Sequence, residues 1–165
     1  MRKKDSSKQY GADLDYMTAL KRAAEMCSRQ EQCTGHIKSK LEEWRGTDSD
    51  AEKILRKLKE EKFLDDDRYA TYFVKDKFRL NQWGKIKISY MLRQKRVDEN
   101  IIVTALGQID DNAYLETCVN LIRTKSSSLK EKNHFVKKGK LFRFASGRGF
   151  EPDIINRALV IIGKD

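Results

Sequence analysis

An apolar pattern recurs along this chain at a fixed distance, and this recurrence restricts the possible folds more than any other feature. The set Ile101-Ile102 with Ala105-Leu106 is matched, without a gap and 53 residues later, by Ile154-Ile155 with Ala158-Leu159. Spacings of three and four residues place each set on one face of a helix. Internal similarity near a 50-residue period is typical of helical repeat arrays, whose units bury their apolar faces partly against neighbours.

The rest of the chain fits the same plan. It contains a single proline in 165 residues, and its lysine, glutamate, leucine and arginine favour helices. The spacing predicts an all-α fold of three tandem three-helix repeats that form an elongated curved array, with no sheet. We expect the repeats at 14–62, 63–110 and 111–163, after a flexible basic tail at 1–13. Phe73, Ile102 and Leu106 lie on apolar stripes and are expected to be buried in the repeat cores.

Several helix starts are visible in the sequence. Thr34 and Asp98 are candidate N-caps, and Glu151-Pro152 places proline at a first helical position. The run Asp65-Asp66-Asp67 supplies a cap and first-turn acids for the next helix. Three adjacent carboxylates at a helix start point in different directions, so this reading explains them better than a metal or catalytic site does.

The composition of the chain argues against several other classes of protein. No apolar run approaches the roughly 18 residues of a membrane span, and the basic N-terminus has no apolar core of a secretory signal after it. Three cysteines match no disulfide framework, so we expect free thiols and a cytoplasmic protein. Cys27, Cys33 and His36 lack a fourth ligand at a suitable spacing. We therefore expect no metal, no cofactor and, because no catalytic constellation is present, no enzymatic activity.

The basic charge is concentrated in two blocks. The chain has a net charge of +10, but residues 68–96 and 120–150 each carry +8, and the stretch 97–119 between them carries −5. Clustered cations bind polyanions through counterion release. The alternative is an ordinary solvated helix surface. The predicted binding residues are Arg68, Lys75, Lys77, Arg79, Lys85, Lys87 and Arg93 in the second repeat, and Lys137, Lys138, Lys140, Arg143 and Arg148 in the third. We expect the two blocks to line one continuous face.

Aromatic residues lie within both blocks. Trp83 in the first block and Phe142 in the second could stack on nucleic-acid bases. Large aromatic side chains in small helical units more often pack in the core or between repeats, and packing is the favoured reading for both residues and for Trp44.

The sequence resembles the RecX regulatory proteins at motifs that extend over nearly all of residues 14–162. Phe63-Leu64-Asp65-Asp66, followed by Arg68-Tyr69-Ala70 and Phe73-Val74, is similar to the central motif of that family. Further similarity lies in Ser28-Arg29 with Cys33-Thr34, in Gly84 through Leu92 with Gln94-Lys95, and in Lys140-Leu141 with Phe144 and Arg148-Gly149-Phe150. One departure is Arg96, which stands where the family often has glycine.

The resemblance implies a function that spacing alone does not. RecX-like proteins are three tandem three-helix repeats that bind the RecA recombinase filament and restrain its ATP hydrolysis and strand exchange. They also bind DNA, single- and double-stranded, and they are regulators rather than enzymes. We therefore expect a monomeric RecA modulator. The alternative is a general helical DNA- or RNA-binding protein that has no recombinase partner.

Overall fold

The computed structural model describes residues 14–44 and 48–163, and their regular structure is entirely α-helical. No strand occurs in these two stretches. The helices are α1 (Tyr16–Arg29), α2 (Thr34–Glu43), α3 (Asp48–Glu60), α4 (Asp66–Arg79), α5 (Lys85–Gln94), α6 (Glu99–Leu106), α7 (Asp111–Ser128), α8 (His134–Gly147) and α9 (Pro152–Ile162). The prediction of an all-α repeat protein is confirmed. The predicted tail at 1–13 lies outside the described residues.

Most of the predicted helix starts are confirmed. The Asp98 carboxylate accepts a hydrogen bond from the Asn100 N–H at 2.9 Å, Pro152 is the first residue of α9, and α4 carries Asp66 and Asp67 in its first turn. The assignment of Thr34 as a cap is wrong, because Thr34 is already helical. The cap is Cys33, whose backbone is extended and whose carbonyl oxygen accepts from the Ile37 N–H at 3.2 Å.

The chain divides after Asp65 into two compact units. In the first unit, α1, α2 and α3 bury a shared apolar core. This core consists of Ala19, Ala23, Ile37, Leu41, Ala51, Ile54, Leu55, Leu58 and Leu64. Half-buried Phe63 also packs against it. The family-like motif Phe63-Leu64-Asp65-Asp66 therefore spans the division, with its apolar half in the core of the first unit.

The second unit contains two three-helix repeats, α4–α6 and α7–α9. Ile102 is fully buried, as expected, but Phe73 and Leu106 are only half-buried. α6 buries Ile102 and Ala105, and the helical rotation of about 100° per residue turns Leu106 to the flank of that face. Phe73 lies on the flank of α4, where its ring stacks on that of Tyr69 at 5.9 Å between centroids.

The third repeat caps a helix of the second. The first backbone N–H groups of an α-helix have no partner within the helix, and Gly84, the N-cap of α5, has no side chain to supply one. The Gly84 N–H donates instead to the Arg148 carbonyl oxygen at 2.8 Å, and the Ile86 N–H to that of Gly149 at 3.0 Å. The Lys85 N–H donates to the Tyr114 hydroxyl at 2.7 Å. Three backbone donors of α5 are therefore satisfied across the junction.

Two glycines make this close approach possible. A Cβ on Gly84 would lie 2.1 Å from the Gly149 carbonyl oxygen, and a Cβ on Gly149 would lie 2.3 Å from the Lys87 Cβ. Gly149 also has a φ of +91°, in the region that side chains disfavour. The backbones of the two repeats are thus in direct contact, and only glycine fits at either position.

The buried Tyr114 hydroxyl is expected to stabilise the second unit. It donates to Glu151 Oε2 at 2.6 Å while it accepts from the Lys85 N–H. Tyr114→Phe leaves that N–H and the carboxylate without their partner, which should lower the free energy of unfolding by about 1–3 kcal/mol. Urea denaturation followed by circular dichroism measures this difference.

Tyr90→Phe is the matched control, because Tyr90 lies on the exposed side of α5 with 58% of its surface accessible. The control should change the free energy of unfolding by no more than about 0.5 kcal/mol. Equal effects of the two substitutions would mean that the hydroxyl bridge does not hold the repeats together.

Candidate nucleic-acid interface between the second and third repeats

The turn from α4 to α5 presents an aromatic ring flanked by two lysines. Trp83 is half-buried, and its ring centroid lies 4.4 Å from Lys87 Nζ and 5.8 Å from Lys77 Nζ. Gln82, just before it, has a φ of 52° and reverses the chain after α4. A cation above an aromatic face is attracted by the ring quadrupole, which holds the Lys87 ammonium beside Trp83. Lys77 Nζ also lies 5.5 Å from the Phe73 ring centroid and donates to Asp76 Oδ2 at 2.9 Å, so its charge is partly offset.

A second group of the same kind lies in the third repeat. The half-buried ring of Phe144 on α8 has Lys125 Nζ at 5.2 Å and the Arg148 guanidinium carbon at 5.7 Å from its centroid. Arg148 Nη1 also donates to the Asn81 carbonyl oxygen at 3.1 Å. This hydrogen bond connects the two groups across the junction.

We call these six residues the basic-aromatic cluster. They are Lys77, Trp83, Lys87, Lys125, Phe144 and Arg148. Four cations beside two half-buried rings form a candidate nucleic-acid contact, because phosphates can bind cations and bases can pack on aromatic surface. The pairing of Lys77 with Asp76 makes that cation the least available of the four. The contacts with the rings and with Asn81 also restrict the conformations of the cationic side chains, so these side chains lose less entropy on binding.

The structure brings only some of the predicted site residues together. Lys77, Lys87 and Arg148 belong to the basic-aromatic cluster. One side of α4 carries three cations, Arg68, Lys75 and Arg79, at spacings of seven and four residues. This side lies opposite to buried Ala70 and to Lys77. The two basic blocks therefore do not line a single face, because neighbouring cations of one helix project in different directions.

Four predicted cations are paired with carboxylates: Lys77 with Asp76, Lys85 with Asp111, Arg93 with Glu99 and Lys140 with Glu131. Arg93 Nε donates to Glu99 Oε2 at 2.8 Å, and this hydrogen bond lowers the pKa of Glu99 and raises that of Arg93. Lys140 Nζ donates to Glu131 Oε2 at 2.8 Å, which lowers the pKa of Glu131. These pairs reduce the charge available to a polyanion.

The remaining predicted residues are dispersed. Lys85 Nζ lies 3.4 Å from Asp111 Oδ1 and 4.8 Å from the Tyr114 ring centroid. Lys137 and Lys138 line a groove of about 340 Å³ beside the C-terminal end of α9. Arg143 Nε donates to the Gly139 carbonyl oxygen at 3.4 Å on the exposed side of α8.

Three members of the cluster were not among the predicted site residues, and one of them is Trp83, for which packing was the favoured interpretation. Lys125 belongs to the second basic block, and Phe144 belongs to a family-like motif four residues before Arg148. That spacing is a usable signal, because residues i and i+4 lie on the same helix face. Phe142 and Trp44, for which packing was also the favoured interpretation, are both half-buried, and the Trp44 ring lies 4.7 Å from the Arg22 guanidinium.

The cysteines are free thiols, as predicted. Cys33 and Cys118 are buried, and Cys27 is half-buried. Burial, with Glu151 nearby, raises the pKa of Cys118 to about 12, so this thiol stays protonated and is a poor nucleophile. Across residues 14–44 and 48–163, no three His, Cys, Asp or Glu side chains come together as a metal site. No helix in the described part of the chain is long and apolar enough to cross a membrane.

Comparison with known proteins assigns the chain to a family. Residues 65–106 match the model of the second three-helix domain of RecX, and residues 112–159 match that of the third. Regulatory protein RecX of Chlorobium phaeobacteroides (strain BS1) is 31% identical over 148 residues, which cover 90% of this chain and 95% of that protein. The chain belongs to the RecX family.

Other RecX proteins show how far the similarity extends. RecX of Clostridium botulinum (strain Eklund 17B / Type B) is 39% identical over 114 residues, which cover 67% of this chain but only 53% of that protein. The crystal structure of RecX from Lactobacillus salivarius has a TM-score of 0.85 at 21% identity, covering 91% of this chain and 97% of that one. The latter comparison supports the fold. The family is one of regulatory proteins.

The backbone at Arg96 is relevant to the RecX resemblance, because Arg96 stands where that resemblance leads us to expect glycine. This residue has a φ of 58° in the turn after α5, a left-handed conformation that glycine adopts without strain. Lys62 after α3 and Gln82 after α4 have the same conformation. Each of these three helices is therefore followed by a left-handed residue, and at position 96 an arginine adopts the conformation that glycine favours.

Proposed function

We propose that this protein binds the RecA recombinase filament and DNA, and that it slows ATP hydrolysis and strand exchange by RecA. It acts in the cytoplasm as a monomeric regulator. Membership of the RecX family supports the recombinase partner. The observation that carries the DNA contact is the basic-aromatic cluster, in which cations from two repeats are held beside Trp83 and Phe144.

The junction gives this surface its rigidity. Backbone hydrogen bonds from α5 to Arg148 and Gly149, and the Arg148–Asn81 contact, fix the two halves of the cluster relative to each other. A preformed surface loses less entropy on binding than one that must be assembled. The contacts available to it are with phosphates and aromatic stacking surface, so binding should depend on salt and little on sequence.

The second candidate function is DNA or RNA binding without a recombinase partner. The basic-aromatic cluster would serve either role, because it recognises the polyanion and not the filament. The two functions differ in the amount of protein needed to inhibit RecA.

The deciding measurement is DNA-dependent ATP hydrolysis by RecA at increasing concentrations of this protein. A filament modulator should inhibit well below the concentration that coats the DNA, because each molecule affects many RecA subunits. DNA occupancy is measured in parallel by fluorescence anisotropy of a labelled oligonucleotide. Inhibition that rises only with DNA coverage would reject the recombinase partner and leave the protein as a DNA-binding protein.

A further inference from the structure

A cavity outside the basic-aromatic cluster lies between α4 and the turn that joins α6 to α7. Its volume is about 250 Å³, smaller than the pockets that usually enclose small-molecule ligands. Buried Val74, Ala105 and Ile109 and half-buried Phe78 form its apolar lining. The space suits one apolar side chain.

Two cations stand on one rim of this cavity. Lys75 and Arg79 are four residues apart on α4, so they project one turn apart on the same side. Neither side chain forms an ion pair with another described residue, in contrast to Arg93 and Lys140. Their position opposite Lys77 on α4 separates them from the basic-aromatic cluster.

The opposite rim of the cavity carries an acidic side chain, Asp110, and an uncharged polar one, Gln108. The Asp110 carboxylate accepts from the Ala113 N–H at 2.8 Å as the cap of α7, and Gln108 Nε2 donates to Thr71 Oγ1 at 3.4 Å across the cavity. A phosphate backbone carries a charge at every nucleotide, so Asp110 would repel it. A peptide avoids this repulsion, because it can place a carboxylate at α4 and uncharged backbone near Asp110.

We propose that this cavity binds an acidic-apolar segment of the protein partner, with one apolar side chain inside and a neighbouring carboxylate on Lys75 and Arg79. The inference rests on the proposed function, since the partner is the RecA filament. In this proposal the protein has two binding surfaces: the basic-aromatic cluster binds DNA, and the cavity binds the protein partner. Planar bidentate pairing with Arg79 would fix the position of the carboxylate.

Two variants of the full chain test the proposal. Lys75→Glu combined with Arg79→Glu reverses the rim charge, and Ala113→Phe fills the mouth from an exposed position without changing charge. Each should raise the concentration needed for half-inhibition of RecA ATP hydrolysis at least tenfold. Each should also reduce retention of the protein on RecA filaments assembled on DNA with a non-hydrolysable ATP analogue.

Matched controls separate this effect from charge and folding. Ala113→Ser occupies the same position with little added volume. Lys38→Glu combined with Lys59→Glu makes the same charge change on exposed side chains of the first unit. Oligonucleotide affinity of the cavity variants should stay within about twofold of the matched controls, and circular dichroism should show unchanged helix content.

The outcomes distinguish the two proposals. If both cavity variants inhibit RecA as well as the parent does, the cavity proposal is wrong while the proposed function stands. If they lose oligonucleotide affinity in proportion to inhibition, the occupant is nucleic acid and the cavity proposal is again wrong. If the parent protein itself does not inhibit RecA below DNA coverage, the proposed function fails and the cavity proposal fails with it.

Discussion

Replacing Gly149 with alanine is expected to lower the free energy of unfolding of the second unit by about 3–5 kcal/mol. The new Cβ would lie 2.3 Å from the Lys87 Cβ and 2.5 Å from the Lys87 backbone nitrogen, which cannot move without disturbing the start of α5. The φ of +91° adds strain of its own. The Ile86–Gly149 and Gly84–Arg148 hydrogen bonds should break as the repeats separate.

Gly147→Ala is the control, two residues away at the end of α8. A Cβ there meets nothing within 4 Å, and alanine favours the helix by roughly 0.5–1 kcal/mol relative to glycine. Urea unfolding should therefore show a destabilised Gly149→Ala and an unchanged or slightly stabilised Gly147→Ala. Equal stability of the two variants would show that the close backbone contact between the repeats does not exist.

Reversing charge at Lys87 and Lys125 together should weaken DNA binding by about tenfold or more, or roughly 1.4 kcal/mol. These lysines come from opposite sides of the junction, one beside Trp83 and one beside Phe144. Loss of two phosphate contacts should lower the slope of log affinity against log salt by about 1.8 on duplex DNA and about 1.4 on single strands. Anisotropy titrations at several salt concentrations measure both quantities.

Arg148 is left intact in this double variant because its hydrogen bond to Asn81 supports the junction. The pair Lys38→Glu and Lys59→Glu serves as the control of equal charge, and it should leave the salt slope nearly unchanged. If both pairs reduced affinity equally, DNA would respond to net charge alone and the basic-aromatic cluster would be ordinary solvated surface.

The helices could be predicted because their signals are local. Apolar spacing, the cap at Asp98 and the proline at 152 act within one or two turns of the chain, so they are readable without tertiary structure. Burial was predictable only in part. Ile102 lies at the centre of its apolar face, whereas Phe73 and Leu106 lie at the edges, where the packing partner decides how much surface is covered.

The proposed binding surface was less predictable than the fold. The two blocks of +8 contain all four cations of the basic-aromatic cluster, but a run of sequence does not say which side of a helix faces which neighbour. Pairing with carboxylates reduced the charge available at Arg93 and Lys140, and also at Lys77 and Lys85. The direction of projection separated Lys75 and Arg79 from Lys77. The spacing of Phe144 and Arg148 indicated one contact of the cluster, whereas the contact of Lys125 on α7 with Phe144 on α8 joins separate helices, which no spacing rule specifies.

The sequence by itself determined the repeat architecture, the position of most helices and membership of the RecX family, because each rests on a local or recurring pattern. Only the tertiary structure decided that the motifs around Gly84 and Arg148-Gly149-Phe150 meet. These motifs are about 65 residues apart in the chain, and they touch because neither glycine has a Cβ to hold the backbones apart. That contact places Trp83 and Phe144, with their cations, on adjoining parts of one surface.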